Sequence, residues 1–196
     1  MGKNDVPDGW EKYSRYGSRI PNTPFVAFKV PLSENLQGRY NREYLPRATT
    51  DQALEHRWTL DTLGKTFPDL GLVIDLTATD RYYNPRSMKA RHVKIKTQGH
   101  VVPDQNVIKL FFDEVDKALD LDEDTLIGVH CTHGINRTGY LICRYLIEKL
   151  NWDPEKAIRE FGRCRGHAIE RANYLQSLKS LKPNLRVTNE LGNLTI

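Results

Sequence analysis

Short apolar runs and stretches of helical periodicity alternate along this chain. Residues 25–30 (FVAFKV) predict a first strand, and residues 71–76 and 126–130 are compact apolar runs suited to buried strands. Residues 92–95 predict a shorter one. Residues 104–119 place Ile108, Phe111, Phe112, Val115, Ala118 and Leu119 at helical spacing, with acids on the remaining face. Residues 138–150 put Leu141, Ile142, Tyr145, Leu146 and Leu150 on one side of a second helix. Asp153-Pro154 is a helix start, acid as N-cap and proline in the first helical position, and that helix runs to about residue 161. A further helix is expected over residues 171–181 and a short one over 58–67, whereas residues 32–51 read as polar and irregular. Alternating strands and helices predict an α/β single domain. Residues 1–24, rich in Gly, Pro, Asn and Tyr, read as an arm packed on a domain of residues 25–182, with 183–196 as a loose tail.

Composition narrows the class. With 196 residues, 39% apolar and 28% charged, the chain has material for one sizeable core and a soluble surface. No apolar run approaches the ~20 residues of a membrane span, and Lys3, Asp5 and Asp8 are foreign to a secretory signal. Cys131, Cys143 and Cys164 cannot all pair within one chain and form no Cys-x-x-Cys unit, which points to a reducing compartment and at least one free thiol. The net charge of +4 hides segregation: residues 81–103 carry six Lys/Arg and no acid, 104–124 eight acids against two lysines, and 137–182 ten basic residues against five acids. Such runs are ordinarily solvated faces, so they gain meaning only beside a binding site.

One segment supplies that site. Residues 126–139 read LIGVHCTHGINRTG: an apolar strand, a tight turn, then a helix. A loop between strand and helix aims its backbone N–H groups inward and adds the helix's positive end, which makes an anion cradle. A cysteine at its base, Cys131, should ionise below the ordinary thiol value. Arg137 can reach over the loop with a planar fork matched to two phosphoryl oxygens. Gly134 and Gly139 permit close approach, and the Thr138 hydroxyl can bond the cysteine sulfur. The plain alternative is a structural cysteine in a Gly turn with Arg137 in an ordinary ion pair. A metal site at His130, Cys131 and His133 would need a fourth ligand that nothing nearby supplies.

The pattern His130-Cys131-x-x-Gly134-x-x-Arg137-Thr138-Gly139 resembles that of the cysteine-dependent phosphatases. The longer string HCTHGINRTGYLICRYLIE resembles the RNA 5′-triphosphatase subgroup of the dual-specificity phosphatases, which includes the baculovirus RNA 5′-phosphatase and the triphosphatase domain of metazoan capping enzymes. Val73-Ile-Asp-Leu-Thr77 with Arg81-Tyr82-Tyr83, Gly99-His100, and Arg163-Cys-Arg-Gly-His167 with Glu170-Arg171 and Tyr174 agree, over about residues 6–182. The resemblance implies a dual-specificity-phosphatase-like fold with a central, mostly parallel sheet flanked by helices. It also implies removal of γ- and then β-phosphate from RNA 5′ ends through a phosphocysteine, with no metal and no other cofactor. Partners would be RNA ends bearing tri- or diphosphate and RNA-processing ribonucleoproteins, and the protein a monomer of the nucleus and also the cytoplasm.

Expected roles follow. Cys131 is the nucleophile, Arg137 and Thr138 assist it, and Thr132, His133, Gly134, Ile135 and Asn136 complete the phosphate-binding loop, with His130 supporting from behind. A protein phosphatase needs a general acid for a basic leaving oxygen, whereas a phosphoanhydride leaves as a phosphate oxygen of pKa ~6. Asp104, 27 residues before the nucleophile, is the best candidate acid, and it could equally be a helix N-cap. Asp75, within a strand run, reads as a structural hydrogen-bond partner. Arg81, Arg163, Arg165 and Arg171 are expected to contact substrate, with added bonds to phosphate from His100, His133 and His167. Cys143 reads as packing. Two other functions share the cradle: a dual-specificity protein phosphatase for phospho-Tyr, phospho-Ser or phospho-Thr, and a 5′-end-binding module.

Overall fold

Four parallel strands form one sheet in the order β1-β4-β2-β3, among the residues 5–183 that the computed structural model describes. They are β1 (Phe25–Lys29), β2 (Leu70–Asp75), β3 (Arg91–Lys94) and β4 (Leu126–Cys131). Their register brings chemistry to one edge: Lys29 lies opposite Cys131, His130 opposite Asp75, and Asp75 opposite Lys94. The carboxyl ends of parallel strands are where such folds gather ligands.

Seven α-helices among the described residues flank the sheet: α1 (Glu34–Tyr44), α2 (Thr50–Glu55), α3 (Leu60–Thr66), α4 (Gln105–Leu121), α5 (Asn136–Glu148), α6 (Pro154–Arg165) and α7 (Ala172–Lys179). Alternate strand residues serve opposite cores, which is why the strand runs are apolar throughout. Phe25 and Ala27 of β1 and Ile127 and Val129 of β4 pack with Phe111, Tyr140, Leu141 and Phe161 of α4, α5 and α6. Val26 and Phe28 face the other way, onto Trp10, Leu36, Tyr40, Trp58 and Leu63. Cys143 is fully buried in the first core, and burial pushes its thiol up, as suits a packing role.

The expectation of an irregular 32–51 is corrected by α1 and the start of α2. Ser33 caps α1 by accepting from Leu36 N–H, and Leu36 and Tyr40 turn inward, Tyr40 edge-on to Trp10 at 5.0 Å. Gly38 and four charged residues dilute that stripe in the sequence. α2 buries nothing; its signature is the Thr49–Gln52 capping box, a signal that apolar periodicity misses. α5 starts two residues earlier than expected and α6 runs four residues longer, ending at Gly166 with φ +75°.

Residues 5–24 run along β1. Gly17 N–H donates to the Ala27 carbonyl at 2.9 Å and Lys29 N–H to the Arg15 carbonyl at 3.0 Å, with Tyr16 bridging Phe28 antiparallel. This pairing covers what would be an exposed sheet edge. Trp10, fully buried, donates from Nε1 to the Val30 carbonyl at 3.0 Å. The expected tail falls, except for residue 183, outside the described residues. Among the described residues no helix is long and apolar enough to cross a membrane.

Candidate active site

Cys131 is the last residue of β4, only 3% exposed, and the next four residues turn tightly into α5. Burial alone would push its thiol up. The Arg137 guanidinium, the Thr138 hydroxyl and N–H, and the Ile135 N–H outweigh burial and bring the thiol below its ordinary value. The Thr138 hydroxyl is itself buried, and it is among the groups that lower the Cys131 thiol. Gly134, at φ +68°, makes the turn possible.

Arg137 is held before any anion arrives. Nη1 donates to the carbonyls of Leu76 (3.2 Å) and Thr97 (2.9 Å), and Nη2 to Thr132 Oγ1 at 3.0 Å. Two strand exits therefore fix the plane of the fork above the loop. His130, wholly buried, supports from behind: Nδ1 donates to the Cys131 carbonyl at 3.2 Å, and Nε2 lies 2.7 Å from the Tyr83 hydroxyl. Burial pushes this imidazole below its ordinary value, against the pull of Asp75. Asp75 is the structural partner expected: Oδ1 accepts from Thr77 N–H and hydroxyl at 2.8 and 2.7 Å, and Oδ2 accepts from Lys94 Nζ at 2.9 Å.

A cavity of about 380 Å³ opens over Cys131. Thr132, His133, Asn136 and Arg137 form its floor with Cys131. Thr77–Thr79 and Tyr82 supply the wall after β2, Gly99 and His100 the wall after β3, Arg171 and Tyr174 come from the start of α7, and Pro7 and Asp8 from the arm. A second hollow of about 540 Å³, lined by Leu60, Leu63, Phe67 and Met88 among others, contains none of the loop residues. An anion needs donors, so the smaller cavity is the candidate site.

Several expected site residues are elsewhere. Asp104 does not line the cavity; its carboxylate caps α4, accepting from Val107 N–H at 2.9 Å. Arg163 is exposed on α6 and pairs with Glu160 at 2.8 Å. Arg165 lies beneath the loop, 1% exposed, with its fork on backbone carbonyls rather than facing the cavity. Arg81 stacks over the Tyr82 ring at 4.9 Å and is not part of the lining. Of the four arginines, Arg171 alone lines the cavity, with Nη2 3.3 Å from His100 Nε2. His167 accepts from Ser14 N–H at 3.0 Å rather than meeting the cavity. The basic 81–103 segment is partly neutralised in place, Arg91 by Glu114, Lys94 by Asp75 and Asp80, and Lys96 by Asp80.

The arm's share of the site is not legible in the sequence. The His133 Nε2–H donates to the Asp8 carbonyl at 2.8 Å and its ring lies against Tyr13 at 4.8 Å. Tyr13 hydroxyl donates to Glu170 at 2.9 Å. The only local hint is Pro7-Asp-Gly-Trp10, a turn followed by an aromatic anchor.

Comparison with known proteins agrees with this geometry. Residues 65–183 match the family model described as "Dual specificity phosphatase, catalytic domain". The chain is 43% identical over 182 residues to the RNA/RNP complex-1-interacting phosphatase of Rattus norvegicus, covering 91% of this chain and 53% of the rat protein. The chain thus spans about half the length of that relative. It is 37% identical over 175 residues to the tyrosine-protein phosphatase of Autographa californica nuclear polyhedrosis virus, covering 88% of this chain and 98% of the viral one. In fold it is similar to the crystal structure of PTPMT1, with a TM-score of 0.54 at 20% identity over 85% of this chain and 93% of that one.

Proposed function

This chain belongs to the dual-specificity phosphatase catalytic-domain family of cysteine-based phosphatases, and from that premise we propose that it is a metal-independent RNA 5′-tri- and diphosphatase. The observation that carries the reading is the placement of Asp104 at the head of α4, away from the cavity. A site without that acid favours a leaving group that needs little protonation, and a phosphoanhydride is such a group. The name of the rat relative supports RNA as the carrier, and Arg171 with His100 adds donors beside the loop for a second phosphate.

The Cys131 thiolate attacks the γ-phosphorus in line. The S–P bond forms as the P–O bond to the bridging oxygen breaks, and RNA diphosphate leaves with that electron pair. Arg137 and the loop amides hold the equatorial oxygens. Water then attacks the phosphocysteine and passes a proton to an oxygen of the departing phosphate, the S–P bond breaks with its electron pair on sulfur, and the Thr138 hydroxyl receives the thiolate. A second cycle converts diphosphate to monophosphate. The protein works as a monomer on RNA ends within ribonucleoproteins, in the nucleus and also the cytoplasm.

The test is γ- and β-labelled triphosphorylated RNA incubated in chelator. Ordered release of both phosphates, abolished by Cys131→Ser, is the expected result; release that requires a divalent ion overturns the mechanism. Asp8 in the lining favours a second reading, a protein phosphatase with that carboxylate as acid. Under it, phosphopeptides are the better substrates and Asp8→Asn slows them selectively.

A further inference from the structure

Arg165 and the cysteine never face the same space, yet they act on the same peptide units. The Arg165 Nε donates to the Gly134 carbonyl at 3.0 Å, and Nη2 donates to the His133 carbonyl at 3.0 Å. A trans peptide is planar, so its carbonyl and N–H point in opposite directions. The His133 carbonyl belongs to the same plane as Gly134 N–H, and the Gly134 carbonyl to the same plane as Ile135 N–H. Pinning both carbonyls behind the loop therefore turns both N–H groups to the front, and the Ile135 N–H is among the groups that bring the Cys131 thiol below its ordinary value. Gly134, with no Cβ and φ +68°, has the backbone freedom to let these planes rotate, so something must hold them.

The same guanidinium grips the arm. Its Nη1 donates to Ser14 Oγ at 2.6 Å and its Nη2 to the Ser14 carbonyl at 2.8 Å. The arm in turn carries Asp8, whose carbonyl receives His133 Nε2–H, and Pro7, which lines the cavity. Loop and arm thus share one buried cation.

We propose that Arg165 is a positioning residue: it orients the Gly134 and Ile135 amides toward the nucleophile and, through Ser14, makes residues 7–14 of the arm part of the catalytic site. The inference rests on Cys131 being the nucleophile. A lysine cannot reproduce the fork, since its point charge cannot span the four acceptors that Arg165 reaches. Arg137 remains in place in every variant, so the effect on the thiol is partial.

The experiment compares the unaltered protein with Arg165→Lys and Ser14→Ala. Three readouts are taken: melting temperature, the pH dependence of iodoacetamide alkylation of Cys131, and kcat and KM on triphosphorylated RNA. Arg165→Lys is expected to melt cooperatively, to shift the alkylation midpoint upward, and to lose on the order of tenfold in kcat with a smaller change in KM, since misplaced amides weaken the transition state most. Ser14→Ala shifts the same midpoint in the same direction by less. A folded Arg165→Lys protein with the unaltered midpoint and kcat overturns the proposal. If Arg165→Lys does not fold, Ser14→Ala decides, and an unaltered midpoint there overturns it. If the unaltered protein itself alkylates as an ordinary thiol, the reading of Cys131 fails instead, so the two failures are distinct.

Discussion

Gly134 approaches Phe28 so closely that a Cβ on residue 134 would stand 2.1 Å from the Phe28 carbonyl oxygen. The phosphate loop crosses directly over the end of β1, and Phe28 cannot retreat, being laddered to β4 and bridged to Tyr16. Gly134→Ala would meet both this contact and a left-handed φ that L side chains rarely adopt. The expected result is phosphatase activity reduced to background and a melting temperature lowered by several degrees, read by steady-state assay and calorimetry. Activity within a few-fold of the unaltered protein would show that the loop can shift away from β1.

Arg137→Lys tests the fork above the loop. The arginine reaches the Leu76 and Thr97 carbonyls and Thr132 Oγ1 at once, and lysine keeps the charge but not that geometry. Turnover should fall by about two orders of magnitude or more, comparable with losing an oxyanion donor. Near-normal kcat would mean that charge alone suffices.

Asp104→Ala separates cap from catalyst. Loss of the bond to Val107 N–H should cost about 1 kcal/mol of stability. Since the side chain is outside the cavity, kcat on triphosphorylated RNA should stay within about twofold at a temperature where the variant is folded. A large drop in kcat would return Asp104 to the reaction.

Lys29 predicts a pH dependence. Burial, followed by the charges of Arg165 and Arg15 and against the pull of Glu11, lowers its amine from 10.5 to about 7, while its Nζ holds the carbonyls of Trp10 and Tyr13 at 3.0 and 2.9 Å. Below pH 7 both folded and unfolded chains carry the proton. Between about 7 and 10.5 the unfolded chain binds it and the folded one does not, so this group makes stability rise with pH across that window. Melting curves of the unaltered protein minus those of Lys29→Met should climb from pH 7 to 10. A flat difference would place the amine's titration outside the window.

How much of this was legible follows the length scale of each signal. The four strands, α4 and α5 are visible because apolar runs and 3.6-residue stripes are local, and the Cys131–Arg137 loop is visible because strand, turn and helix start are contiguous. α1 and α2 are not legible, because their signals are N-caps and, in α1, two buried apolar side chains in a polar stretch, Leu36 and Tyr40, and the Trp10 ring that meets Tyr40 is far away in the chain.

By itself the amino-acid order determined the α/β alternation, the anion-binding turn and the pairing of one cysteine with one arginine, since each depends on neighbours a few bonds apart. Tertiary structure alone decided that Arg171 lines the cavity while Arg165 lies under the loop, that Asp104 caps a helix, and that the arm walls the site. Four arginines look alike in a sequence; which face of a turn each one meets depends on contacts such as Arg165 with Ser14, 151 residues apart, and no local pattern encodes the closing of so long a loop.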